Sequence, residues 1–290
     1  MHVTVLGAGT MGHGIAQVSA MAGHDVFLRD IDESVLSEAR NAVERNLQGG
    51  VDREKLTEAE MDAALSRLTT TTDLREAAGE ADLIVEAVPE RLDLKQQVFA
   101  DAEAVAPEDA ILATNTSSLS VTEIASELSS PHRAIGLHFF NPVHIMALVE
   151  VVLAEQTDDA TEAAAVEFVE AIEKTPIVVT DSPGFASSRL GVTIGVEAMR
   201  MYEEGVASAA DIDEAMTLGY NHPMGPLELT DLVGLDVRLD ILEYLREELG
   251  ERFRPPQVLK RKVRAGHLGR KSGQGFYEWD EGENVGEVER

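Results

Sequence analysis

Through the first two-thirds of the chain, short apolar runs rich in β-branched residues alternate with longer stretches whose apolar positions recur every three or four residues. HVTVLG (2–7), DVFLRD (25–30), LTTTT (68–72), DLIVEAV (82–88), ILATNTS (111–117) and AIGLHFF (134–140) read as strands. Helical patterns separate most of them, and that alternation predicts an α/β fold, a parallel sheet covered by helices. LVEVVLA (148–154) and TPIVVT (175–180) are two further short strands that would extend the sheet.

Between the second and third strands the helical pattern is too long for one crossover. SVLSEARNAVERNLQGG sets Val35, Leu36, Ala39, Val43 and Leu47 at helical spacing and is expected to stop at Gly49-Gly50. VDREKLTEAEMDAALSRL then starts afresh, with Thr57 and Glu60 spaced as a capping box. The pair predicts a protruding helical hairpin. After TDSPGF the pattern turns helical, with no further strand expected. RLGVTIGVEAMRMYEEG reads as a largely buried helix ending at Gly205, and two or three more follow in ASAADIDEAMTLGY, PLELTDLVGLDVRLDILEYLREELG and PPQVLKRKVRAGHLG. Pro183-Gly184 is a natural hinge, so the chain divides into a sheet domain, 1–182, and an all-α domain, 183–290. A helix apolar on every side in so small a domain points to burial at a domain or subunit interface, and hence to a homodimer.

Directly after the first strand stands Gly7-Ala8-Gly9-Thr10-Met11-Gly12. In that setting the three glycines serve different ends. Gly7 permits the tight turn, Gly9 lets the backbone approach a pyrophosphate, and Gly12 lets the helix pack close to the strand. The amides around Thr10 and Met11 then face the anion. About 20 residues on, where such folds place an acid, the second strand ends in Asp30. Its carboxylate can accept hydrogen bonds from a ribose diol and would repel a 2′-phosphate, so the sheet domain is expected to be Rossmann-like and its cofactor NAD. Arg29 beside it is the one cation that works against that preference.

Composition narrows the chemistry. The 290 residues are 44% hydrophobic, enough for a sizeable core, while 24 Lys+Arg against 53 Asp+Glu leave a net charge of -29. Such a field repels nucleic acid and anionic membranes. The acids are spread through helices instead of being gathered in a tail, which points to a cytosol of high salt, where the Debye length falls to about 3 Å at 1 M. The absence of cysteine excludes disulfides, a thiolate nucleophile and Cys-ligated zinc. No apolar run approaches the roughly 20 residues of a membrane span, and the chain starts straight into a strand without a charged leader; a soluble cytoplasmic protein is expected.

Of the eight histidines, His138 stands in a telling place. It lies at the C-terminal end of a predicted strand, the edge where open α/β sheets bind ligands. Ser117 ends the preceding strand, and Glu150 on the next segment is placed to hold the imidazole and stabilise its charged form. The trio has the composition of a hydrolase triad, yet the serine lacks a G-x-S-x-G elbow and a dinucleotide motif occupies the same sheet. Redox chemistry fits better.

The segments GAGTMGHGIA, VEAVPERLDLK, ATNTSSL, GLHFFNPVHIMALVEVV, DSPGF, PMGPLELTDLVGLD and GRKSGQGFYEW, in that order over essentially the whole chain, resemble those of the L-3-hydroxyacyl-CoA dehydrogenases, especially their short 3-hydroxybutyryl-CoA form. The resemblance implies oxidation of the 3-hydroxyl of an acyl-CoA to a ketone, with hydride passing to NAD. It gives His138 the part of general base, Glu150 that of its carboxylate partner, and Ser117 that of a hydrogen bond to the reacting oxygen. Glu90 and Lys95 match residues around the nicotinamide ribose, Asn141 an asparagine near the nicotinamide, and Lys271 a late cofactor contact. The helical hairpin corresponds to a CoA clamp, with Asn46 and Arg53 at its contacting positions and Arg45 and Lys55 as nearby cations.

One departure stands out: PGFASSRL has Ser188 where the family carries a substrate-contacting asparagine, and a hydroxyl is a shorter donor than an amide. Two rival readings share the motifs: an NAD-dependent sugar-acid dehydrogenase of L-gulonate type, and a catalytically silent NAD-binding protein. The pathway stays open among fatty-acid β-oxidation, polyester synthesis and carbon fixation.

Overall fold

Eight strands form one sheet in the order β3-β2-β1-β4-β5-β6-β7-β8. They belong to the first of two units, Met1–Phe185, the second being Ala186–Arg290; the computed structural model describes residues 1–288. In chain order the first unit runs β1 (His2–Leu6), α1 (Thr10–Met21), β2 (Asp25–Arg29), α2 (Glu33–Asp52), α3 (Glu58–Ser66), β3 (Leu68–Thr71), α4 (Leu74–Ala78), β4 (Leu83–Glu86), α5 (Leu92–Glu103), β5 (Ile111–Thr114), α6 (Val121–Ala125), β6 (Ala134–Phe139), β7 (Leu148–Leu153), α7 (Asp159–Ala171) and β8 (Thr175–Thr180). All neighbours pair in parallel except β6 and β7. The order reverses at β1, which lies between β2 and β4, and this is the switch point where such sheets open for a ligand.

Strands buried on both faces explain the near-continuous apolar runs. Val3 and Val5 of β1, with Leu83 and Val85 of β4, face one core that α1, α2 and α7 complete, while Leu6, Ile84 and Leu112 face a second core under α5 and α6. The two-residue alternation thus sorts each strand's side chains between two layers of helix.

The hairpin is present, with one difference. α2 does not stop at Gly49-Gly50 but continues to Asp52. A Cβ on Gly50 would lie 2.8 Å from the Leu56 side chain, so this glycine makes room for the returning strand of chain, and its role is close packing within a helix. The capping box of α3 forms as expected: the Thr57 backbone N–H donates to Glu60 at 2.8 Å and the Glu60 N–H donates to Thr57 Oγ1 at 3.2 Å.

The second unit packs α8 (Ser187–Glu204), α9 (Ala209–Tyr220), α10 (Pro226–Val233), α11 (Leu235–Leu249) and α12 (Gln257–Arg264) around Val192, Val196, Leu227, Leu242, Leu245 and Phe276. Gly205, at φ 75°, ends α8 where the sequence places the stop, and Gly234, at φ 108°, divides what reads as one long helix into α10 and α11. Beyond the helices lies a small antiparallel hairpin, β9 (Tyr277–Asp280) and β10 (Glu283–Glu287), that the sequence pattern does not foretell. Buried Asp231 holds it, accepting from the backbone N–H groups of Phe276 and Tyr277, both at 2.9 Å, and from Trp279 Nε1 at 3.0 Å. α8 is not buried all round: Val192, Val196 and Met199 face the core, whereas Leu190 is 65% exposed. Among the described residues no helix is long and apolar enough to cross a membrane.

Candidate active site

The turn after β1 is built for close approach. Gly7 holds φ +100°, and a Cβ there would sit 2.7 Å from the Ala87 carbonyl oxygen; on Gly12 it would run into the Gly7 carbonyl. Gly9 is the opposite case, with nothing within 4 Å of its Cβ position, so the space in front of it is open. No side chain caps α1, and no acid stands in its first turn, which leaves the amides at Thr10 and Met11 to an anion. Asp30 follows β2; its carboxylate accepts from the Ala8 N–H at 2.8 Å and from the Asp32 N–H at 3.2 Å. A carboxylate has about four acceptor positions, so these bonds fix its orientation and leave room for a diol. Arg29 donates from Nε to the Thr72 carbonyl at 3.1 Å, which ties its side chain to the neighbouring strand. Open glycine, uncapped helix and oriented acid together fit a dinucleotide.

Register brings the histidine and its acid together. His138 on β6 stands directly opposite Glu150 on β7, and His138 Nδ1 meets Glu150 Oε2 at 2.7 Å. Both are buried, the histidine 6% exposed and the glutamate 0%, beside the rings of Phe140 and Phe185. With Nδ1–H donating to a carboxylate, Nε2 is the nitrogen left for chemistry. Because β7 runs antiparallel, Glu150 near its start lies at the same sheet edge as the end of β6.

Ser117 follows β5, next in the sheet. Its N–H and Oγ donate to Glu90 Oε1 at 2.9 and 3.2 Å, and Thr116 Oγ1 adds a third bond at 2.7 Å. Glu90 comes from the loop after β4, so one carboxylate joins two strand ends. Burial pushes its carboxyl up, but the Lys95 ammonium and these donors outweigh that and hold it below the usual range. Asn115, which sequence reasoning passes over, accepts the Phe139 N–H at 2.9 Å and so links the serine loop to the histidine strand.

Lys95 differs from the ribose contact expected of it, and from a solvated helix lysine too. It is 1% exposed, with Nζ 2.9 and 3.1 Å from the two oxygens of Glu86, 3.3 Å from the Val88 carbonyl and 3.3 Å from Glu90 Oε2. An ammonium has three protons, and these acceptors consume them. Glu86 also escapes sequence reasoning; its signal is an acid inside the fully apolar run LIV of β4, a strand buried at every position. Asn141 is exposed just beyond β6.

Arg45, Asn46, Arg53 and Lys55 line one cavity of about 760 Å³ together with Gln17 and His144. Asn46 Nδ2 donates to Gln17 Oε1 at 3.0 Å, which ties the hairpin to α1. His144, a residue absent from the sequence-based site, is pushed below its usual value by burial and then by the charges of Arg53, His13 and Lys174. Ser188 and Lys271 belong to the second unit. Ser188 lies in the first turn of α8, and Lys271 Nζ pairs with Asp236 Oδ2 at 2.6 Å. Among the described residues no cluster of His, Asp and Glu could hold a metal ion.

Comparison with known proteins bears on the whole chain. Residues 2–182 match the 3-hydroxyacyl-CoA dehydrogenase NAD binding domain, and residues 184–279 match the C-terminal domain of the same enzymes. A 3-hydroxybutyryl-CoA dehydrogenase of Clostridioides difficile is 43% identical over 281 residues, 97% of this chain and 100% of the relative. The mitochondrial hydroxyacyl-coenzyme A dehydrogenase of Rattus norvegicus is 42% identical, over 96% of this chain and 91% of its own. The crystal structure of an (S)-3-hydroxybutyryl-CoA dehydrogenase from Ralstonia eutropha superposes with a TM-score of 0.93 at 41% identity, covering 96% of this chain and 99% of that one.

Proposed function

The chain belongs to the 3-hydroxyacyl-CoA dehydrogenase family, NAD-dependent oxidoreductases, and from that premise we propose that its substrate is 3-hydroxybutyryl-CoA, oxidised reversibly at the 3-hydroxyl to the 3-ketoacyl-CoA. The observation that carries this reading is the His138–Glu150 pair at 2.7 Å, presented at the sheet edge that also bears the glycine turn. Bound NAD supplies the hydride acceptor. His138 Nε2 takes the hydroxyl proton, while Nδ1 stays on Glu150, whose charge offsets the growing imidazolium. Ser117 steadies the reacting oxygen with its hydroxyl proton, turned from the 3.2 Å bond to Glu90, while the Ser117 N–H stays on Glu90 and holds the loop in place.

Further assignments rest on position and resemblance. Gly7, Gly9, Thr10, Met11, Gly12 and Asp30 hold the dinucleotide, with Glu90 and Asn141 on its nicotinamide side. Lys95 acts there through Glu90. Arg45, Asn46, Arg53 and Lys55 hold the CoA moiety, whose phosphates suit the cations of their shared cavity. Ser188 serves as a substrate contact and Lys271 as a late cofactor contact. Exposed Leu190, Ile194, Leu229, Leu232 and Val237 on the second unit support a homodimer. The dispersed charge of -29 supports a cytoplasm of high salt, and the activity suits fatty-acid β-oxidation.

The test is consumption of NADH with acetoacetyl-CoA in molar KCl, compared with free hydroxy acids and NAD. Turnover with the thioester, strongest for the four-carbon chain, is expected. Turnover confined to free hydroxy or sugar acids would overturn the substrate, and NADH binding without turnover on any acyl-CoA would overturn the enzyme.

A further inference from the structure

Glu86 ends β4 with its side chain fully buried, at a position where an aliphatic residue would satisfy the strand. A bare carboxylate is costly there, and it persists only because donors surround it. Lys95 Nζ reaches both its oxygens at 2.9 and 3.1 Å, Thr114 Oγ1 donates to Oε2 at 2.7 Å, and the Val88 N–H donates to Oε1 at 2.6 Å. Every neighbour offers a proton, which is the environment of an ionised carboxylate. Burial pushes the Glu86 carboxyl up and outweighs the Lys95 charge and these hydrogen bonds, so it stays above its usual range and depends on those donors for its charge.

The order of distances decides how Lys95 divides its charge. Its shorter bonds go to Glu86, and Glu90 receives only the longer contact at 3.3 Å. Glu90 accordingly keeps its other oxygen on Thr116 Oγ1 at 2.7 Å and the Ser117 N–H at 2.9 Å. We propose that Glu86 is a positioning residue: it occupies the Lys95 ammonium so that Glu90 stays on the Ser117 loop and faces the nicotinamide ribose. The chain of contacts runs from the end of β4 through α5 to the loop after β5, and it touches neither substrate nor cofactor until Glu90. Without the Glu86 charge, Lys95 has one carboxylate left, draws Glu90 inward and strips the serine loop of its acceptor.

The proposal rests on the reading of Glu90 and Ser117 as groups at the nicotinamide ribose and the reacting oxygen, so its test reads cofactor binding as well as turnover. NADH affinity is measured by fluorescence titration on the full chain, with kcat and KM alongside, for Glu86→Gln, Lys95→Met and the double variant. Glu86→Gln is expected to weaken NADH about tenfold, and removal of Lys95 in the same molecule is expected to recover most of that loss, because the misdirecting charge is gone. A residue that merely supports the fold would show no such rescue. NADH affinity unchanged in Glu86→Gln, or a double variant no better than that single one, overturns the proposal. Should Glu86→Gln fail to fold, Glu86→Asp replaces it: its carboxylate is drawn back by one methylene, about threefold weaker NADH binding is expected, and an unchanged affinity overturns the proposal. An inactive wild type that still shows the rescue in NADH binding would unseat the substrate assignment and leave the Glu86 network standing.

Discussion

In the proposed mechanism a single nitrogen carries the chemistry. His138 Nδ1 is committed to Glu150 at 2.7 Å, so proton transfer falls to Nε2, and glutamine in its place offers no base at that atom. His138→Gln is expected to lower kcat at least about 100-fold, the lower end of what general-base catalysis supplies, with NADH affinity nearly intact. Stopped-flow hydride transfer beside an NADH titration checks both halves, and an unchanged kcat rejects the assignment. Asp30, proposed to hold the dinucleotide's ribose, permits a complementary prediction. Its carboxylate is fixed by the Ala8 and Asp32 amides, and Arg29 is held to the Thr72 carbonyl, so repulsion of a 2′-phosphate is largely the work of one side chain. Asp30→Ser is expected to weaken NADH and improve NADPH, narrowing the ratio of their KM values at least about tenfold, as expected when one charged contact of about 1.5–3 kcal/mol is lost. Steady-state kinetics with both cofactors reads that ratio directly.

At the scale of elements, what was legible in the sequence is what local patterns encode. The strands of the sheet follow from runs such as HVTVLG and DLIVEAV, and the pairing of His138 with Glu150 follows from two adjacent strand ends whose register the sequence allows but does not state. The hidden parts depend on tertiary neighbours. Gly49-Gly50 looks like a helix stop until Leu56 is seen packed on it, and the β9–β10 hairpin is held by Asp231, far away in sequence on α10. Asp231→Asn would turn an amide NH₂ toward groups that only donate, at a cost of about 1–3 kcal/mol for the unmade bonds; urea unfolding should register it without loss of NADH binding. Glu103 at the end of α5 secures the approach to β6 in a similar way, accepting from the Ser129 and Ser130 N–H groups at 2.8 and 2.9 Å and from Arg133 at 3.2 Å. Burial pushes its carboxyl up, but those bonds outweigh burial and leave it below the usual range. A carboxylate depressed in the folded state adds stability above its unfolded value, about 4.3, and loses it as pH falls through the folded value. The destabilisation caused by Glu103→Gln should therefore be full near pH 7 and shrink steadily below about pH 4.3, as read from urea midpoints across that range.

Across the whole molecule, charge and exposed apolar surface pull in opposite directions. A net charge of -29 opposes the association of two copies, yet Leu190 is 65% exposed, with Leu229, Leu232 and Val237 also uncovered on the second unit. Salt reconciles them, because screening shortens the reach of the repulsion from about 10 Å at 0.1 M to about 3 Å at 1 M and leaves the apolar attraction in place. Both the folded state and the proposed dimer should then strengthen together as KCl rises. The thermal midpoint is expected to climb between 0.1 and 2 M KCl, and sedimentation velocity to shift from monomer toward dimer over the same interval. Leu190→Glu puts a charge on the most exposed of these side chains, so on the proposed dimer it should hold the protein monomeric in 2 M KCl while the salt-dependent rise in midpoint persists. A midpoint flat with salt would remove the high-salt adaptation, and a Leu190→Glu protein that remains dimeric would place the subunit interface elsewhere.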